Sequence, residues 1–70
     1  ATLNDPSMFV RHEAAIALGV VGSKEAKQAL QKALDDPEKP VVESAVVALS
    51  NIEFMEKLSK NEQFAKLTGG

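Results

Sequence analysis

His12 and Glu13 are the two residues of this chain whose types and placement can do chemistry. A neutral imidazole and a carboxylate are suitable ligands for a metal such as iron, and mixed sites of this kind keep open positions where oxygen can bind. Neighbouring residues on a helix point about 100° apart, so an adjacent pair does not close on one small site as a pair three or four residues apart does. The spacing therefore fits a composite site, in which His12 and Glu13 take separate roles and further ligands come from other segments. Residue types alone favour a plainer reading. A single histidine near a helix start is usually exposed or locally hydrogen-bonded, and a nearby glutamate suits the positive end of the helix. A complete metal site needs several convergent ligands.

The pair sits in a segment that occurs twice. Asp5-Pro6 matches Asp36-Pro37 at a shift of 31 residues, and the match continues through Val10/Val41, Ala14/Ala45, Ala17/Ala48 and Leu18/Leu49. The apolar and small positions agree, whereas His12 falls on Glu43, Glu13 on Ser44 and Gly19 on Ser50. An internal repeat of this period is the mark of stacked helical units. The scaffold does not require His-Glu, so the difference points to a role beyond packing in the first copy.

The elements that would position the pair are helices. Asp5-Pro6-Ser7 is a helix start, with a short side-chain acceptor to cap free N–H groups, and predicts a helix from about Ser7 to Val21. Val10, Ala14, Ala17, Leu18 and Val21 form its apolar stripe, and Gly22 ends it. Ser23 caps a second helix, whose narrow apolar face is Ala26, Ala29, Leu30, Ala33 and Leu34 and whose remaining positions are polar, as in an outer helix. Residues 35–40 connect it to a third, with Pro40 at its first position and an end near Glu53. Val41 to Val47 is rich in β-branched residues, but its apolar positions spread too far round for alternation, and its repeat partner is helical. A helix apolar over so much of its circumference is expected to be buried between neighbours. Phe54, Met55 and Leu58 continue in a short amphipathic helix, with Phe64 and Leu67 packing back and residues 68–70 mobile. The expected class is all-α: an α-solenoid fragment of antiparallel helix pairs, with a half unit at 1–22, a full helix pair at 23–53 and a capping helix or tail at 54–70.

Seventy residues with no cysteine allow one small domain with a thin core and no disulfide or thiolate metal site. Residues 1–4 are too short to supply a partner helix for the first repeat helix, and about three repeats are usually needed for stability, so a segment of a longer array is expected. No apolar run approaches the roughly 18 to 20 residues of a membrane span, and the start lacks the pattern of a signal peptide, which predicts a soluble protein. The net charge is −2, with eight basic and ten acidic residues scattered along the chain. That distribution offers no basic stripe for nucleic acid. No Ser-His-Asp, Cys-His or glycine-rich phosphate pattern is present, so hydrolase and nucleotide-binding functions have no support. Met8 and Met55 read as packing residues, since thioethers prefer soft metals. Gly19 reads as helix termination or tight helix packing.

The Asp-Pro, Val-Arg, Ala-Ala and Ala-Leu-Gly pattern of residues 5–19, echoed at 36–50, resembles HEAT-like repeats of the short bilin-lyase type. The string Phe9-Val10-Arg11-His12-Glu13-Ala14-Ala15, with the later Val41-Val42-Glu43-Ser44 and Val47-Ala48-Leu49, resembles the C-terminal end of the deoxyhypusine hydroxylase family. That family is built from such repeats in two halves, whose His-Glu motifs together hold a non-haem di-iron centre. It hydroxylates a deoxyhypusine side chain on a translation initiation factor with molecular oxygen. The resemblance implies that His12 is an iron ligand, and that Glu13 is either a ligand or a contact to the surroundings or to the substrate amine. It implies as partners the remaining repeats of a parent chain, which complete the site, and a cytoplasmic location. Arg11 reads first as structural, paired with an aspartate of the adjacent unit. One His-Glu motif does not complete a di-iron site, so these 70 residues alone are expected to be inactive. The rival is a non-enzymatic HEAT-like binding or scaffold module in which His12 is incidental.

Overall fold

In the computed structural model, residues 2–67 are described, with side chains described through Lys60. Three helices follow one another: α1 (Met8–Val21), α2 (Lys24–Ala33) and α3 (Lys39–Leu67). The starts and stops are those the local sequence dictates. Ser7 caps α1, its side chain accepting from the Val10 N–H at 3.4 Å. Gly22 ends α1 in the left-handed conformation at φ 67°, where a side chain is strained, and its N–H returns to the Leu18 carbonyl at 3.0 Å. Ser23 immediately caps α2, accepting from the Ala26 N–H at 3.1 Å. The α1–α2 connection is thus two residues long, which forces the helices to lie antiparallel.

Each Asp-Pro turn has the same geometry. Asp5 Oδ1 accepts from the Ser7 N–H at 2.8 Å, and Asp36 Oδ1 accepts from the Glu38 N–H at 2.9 Å. The end of α2 tightens through three-residue bonds, Leu34 N–H to Gln31, Asp35 to Lys32 and Asp36 to Ala33. These deliver the chain to α3, which begins at Lys39 with Pro40 in its first turn. The contacts His12–Ser44, Gly19–Ala48 and Gly22–Ile52 advance together along both helices. So α1 and α3 lie side by side and run in the same direction, with α2 antiparallel to both. This is the layered helix pairing expected of a solenoid unit.

The core is built from small side chains: Ala15, Leu30, Ala33, Val41, Ala45, Ala48 and Ile52, with Leu3, Leu18 and Leu49 packed against it. Leu30 and Val41 are its largest fully buried side chains. The helices approach closely at Gly19, where an added Cβ would stand 2.7 Å from Ala48 Cβ and 3.1 Å from its Cα. Gly19 is therefore a packing glycine shortly before the helix ends.

Three expectations change. The α1 stripe of Val10, Ala14, Ala17, Leu18 and Val21 is only partly covered: Ala14 and Ala15 are the buried residues, while Ala17 is exposed and Val21 is 67% exposed. The packed face is set by where α2 and α3 lie, and Ala15 and Gly19 are the residues small enough to let α3 approach. Nor is α3 buried all round. Val41, Ala45, Ala48 and Ile52 form one buried stripe and Val46 and Val47 are exposed, because α1 and α2 cover one side of it. Finally, α3 does not stop near Glu53; it runs on unbroken, there being no glycine or proline between Val41 and Leu67. Phe54, Met55 and Leu58 are exposed along this extension, and Lys27 Nζ of α2 reaches Glu56 at 3.1 and 3.2 Å. The packing of Phe64 and Leu67 and the state of residues 68–70 lie outside the described residues.

Candidate functional site

The seam between α1 and α3 carries a clasp at its start and a groove beside it. Arg11 makes the clasp. Its Nε donates to Asp36 Oδ2 at 2.8 Å and its Nη2 to Asp36 Oδ1 at 3.3 Å, while Nη1 donates to the carbonyls of Asp5 and Pro6 at 2.8 and 3.0 Å. One guanidinium thereby ties both Asp-Pro turns together, using the planar fork that suits bidentate carboxylate contact. The Arg11 hydrogen bond, joined by the Glu38 N–H, holds the Asp36 carboxyl below its ordinary pKa against a small opposing effect of burial. Arg11 is structural, as its place in the repeat suggests.

One residue further on, His12 turns to the other side of the seam. It lines a groove of about 420 Å³ together with Ile16, Gly19 and Val20 of α1. The facing wall comes from α3: Pro40, Glu43, Ser44, Val47, Ala48 and Asn51. The groove is apolar along most of its length, with His12, Glu43 and Ser44 as the polar group at the end where both helices begin. His12 is half-buried, and its Nδ1 lies 2.6 Å from Ser44 Oγ and 3.4 Å from the Pro40 carbonyl oxygen. The ring is therefore held from the α3 side by its Nδ1 edge, leaving Nε2 with no protein partner among the described residues.

Glu13 is exposed and does not line this groove. The 100° step along the helix separates it from His12, as the adjacent spacing requires. The structure thus brings His12 together with Glu43 and Ser44 rather than with Glu13. Those two were visible in the sequence only as the residues that replace His-Glu in the second copy. A usable signal did exist: parallel neighbouring helices in register set equivalent positions of the two copies roughly one interhelical spacing, 8–10 Å, apart. The side chain one position beyond the equivalent residue then comes to face His12. Among the described residues, no cluster of three or more His, Cys, Asp or Glu is placed to hold a metal ion. An ion held by His12 would need further ligands from elsewhere.

Comparison with known proteins adds to this geometry. The family model for HEAT repeats matches residues 1–66. The chain is similar to deoxyhypusine hydroxylases: 52% identical over 47 residues to that of Phaeosphaeria nodorum, which covers 66% of this chain and 14% of the relative. It is 53% identical over 53 residues to that of Emericella nidulans, covering 74% of this chain and 16% of the relative. It is 38% identical over 60 residues to that of Schizosaccharomyces pombe, covering 84% and 19%. The chain therefore spans less than a fifth of the length of these curated relatives. No solved structure matches it.

Proposed function

The chain belongs to the family of HEAT repeats, and from that premise we propose that it is one segment of a deoxyhypusine hydroxylase. The observation that carries the reading is the identity of 53% over 53 residues, 74% of this chain. Within that reading His12 is an iron ligand through Nε2, since Nδ1 is engaged by Ser44. A ligating histidine characteristically uses one ring nitrogen for the metal and the other for a hydrogen bond that fixes the ring. The half-buried position of His12 and its unpartnered Nε2 suit that role.

Glu13, exposed beside it, serves separately, either as ligand to an iron on its own side or as a contact to the amine of the substrate. Two irons completed by His-Glu motifs of other repeats supply, when bound, the activation of molecular oxygen needed to hydroxylate a carbon–hydrogen bond. This chain's contribution is to hold one imidazole in a set orientation on a rigid seam, with Arg11 and Asp36 locking the register of the two helices that carry it. The substrate in this reading is the deoxyhypusine side chain of a translation initiation factor, and the enzyme works in the cytoplasm.

The test is the iron content of the complete natural protein that carries this sequence, as wild type and as His12→Ala, together with hydroxylation of a deoxyhypusine-bearing protein. Iron near about two ions per chain, falling sharply in the variant along with turnover, is the expected result. A folded protein that holds no iron in either form overturns the reading and leaves a HEAT-like binding module.

A further inference from the structure

Building on the assignment of His12 as an iron ligand, we propose that Ser44 is the positioning residue that fixes the orientation of His12 from the neighbouring repeat, in the tautomer that the Pro40 carbonyl selects. Two oxygens converge on Nδ1: Ser44 Oγ at 2.6 Å and the Pro40 carbonyl at 3.4 Å. A hydroxyl can donate or accept, but a carbonyl can only accept, so the arrangement that satisfies both places the ring proton on Nδ1. Nε2 then carries the lone pair, as a metal ligand must. In this arrangement His12 Nδ1–H donates to Ser44 Oγ.

The placement of Ser44 is not explained by helix formation. It stands inside α3, one turn from the helix start, where serine is less favourable than alanine by roughly 0.5 kcal/mol. It is half-buried rather than exposed, and it occupies the repeat position that carries Glu13 in the first copy. The hydroxyl there meets the one imidazole of the chain. The two copies thus divide the work: the first brings the ligand and the second brings the group that orients it.

Ser44→Val and Ser44→Thr test this in the complete natural protein, because they share a branched shape and differ chiefly in the hydroxyl; Ser44→Ala serves as a second hydroxyl-free variant in case valine disturbs the helix. Iron affinity is measured by competition with a chelator, and the His12 tautomer by nitrogen-15 NMR of histidine-labelled metal-free protein, with the His12 signal identified from its loss in His12→Ala. The expected result is a fall in iron affinity of about 10- to 100-fold in Val and Ala, recovery in Thr, a proton on Nδ1 in all four proteins because the Pro40 carbonyl remains, and an Nδ1 resonance that moves in Val and Ala and returns in Thr as the hydrogen bond to position 44 is lost and restored. Iron affinity unchanged in the hydroxyl-free variants, or an Nδ1 resonance that they leave unmoved, would overturn the proposal. Should folded wild-type protein hold no iron, the iron reading itself fails, and the Nδ1 resonance decides the role of Ser44: a signal unmoved by loss of the hydroxyl sinks it.

Discussion

Residues 10–21 and 41–52 carry the same apolar pattern, yet the two copies are buried to different extents. Val41, Ala48 and Ile52 are buried, Ile52 to 3% exposure, while their equivalents Val10, Ala17 and Val21 are half-buried, exposed and 67% exposed. The cause is a neighbour. The stripe of α3 is covered by α1 and α2, whereas of the matching stripe of α1 only Ala14 is buried, with Val10 and Leu18 half-covered. A solenoid unit presents one face to the copy before it and another to the copy after it, so identical residues gain or lose burial with their place in the stack. Polar differences follow the same geometry: Arg11 and His12, where the second copy has Val42 and Glu43, reach across to α3 and the turn before it.

The largest test of this contrast is Ile52→Ala against Val21→Ala. In the 70-residue chain the first should cost about 2–5 kcal/mol by removing a buried side chain, and the second should stay within about 0.5 kcal/mol, as exposed substitutions do. Denaturant midpoints measure both. In a longer natural protein, a Val21→Ala cost rising to that of Ile52→Ala would mean that the α1 stripe is covered there, sharpening the comparison; equal costs in the 70-residue chain itself would break it.

A second contrast lies at Gly19 and Ser50. Gly19→Ala drives a Cβ to 2.7 Å from Ala48, and overpacking should cost about 1–3 kcal/mol despite the better helix propensity of alanine. Ser50→Ala, at the exposed equivalent position, should be neutral within about 0.5 kcal/mol. Thermal melting of the two variants side by side decides it.

Acid should act through the Arg11–Asp36 clasp. Asp36 titrates below its ordinary 3.8 in the folded chain, so its contribution is fully present above that value and is lost as pH falls through the lower folded value. The melting temperature should therefore decline below about pH 4, with a shallower decline in Asp36→Asn and in Arg11→Met. An unchanged slope in both variants would remove the clasp from the account. The smallest effect should be that of Lys27→Ala: its pair with Glu56 is solvent-exposed, and the loss should be about 0–1 kcal/mol and shrink with salt.

Much of the helical layout was legible because its signals are local. Ser7, Gly22 and Ser23 mark ends through bonds to residues no more than four positions away, and the Asp-Pro turns repeat because the same side chain meets the same N–H. The reach of α3 past Glu53 was also local in origin, since nothing between Val41 and Leu67 breaks a helix; the expected stop there had no residue to enforce it. The site was legible only in half. His12 stood out by type and by its absence from the second copy, but its partners Ser44 and Glu43 lie 32 and 31 positions away and come near it only through the register of α1 on α3.

By itself the sequence determined the all-α class, the 31-residue period, the capped starts and stops, and the one imidazole set among small residues, because each of these is fixed by near neighbours along the chain. The tertiary structure alone decided which of two matching stripes is buried, that Gly19 serves close approach, that Arg11 joins both turns, and that His12 is held by Ser44 while Glu13 points elsewhere. Those outcomes depend on how parallel helices settle against each other, which is governed by the sizes and shapes of side chains distant in sequence.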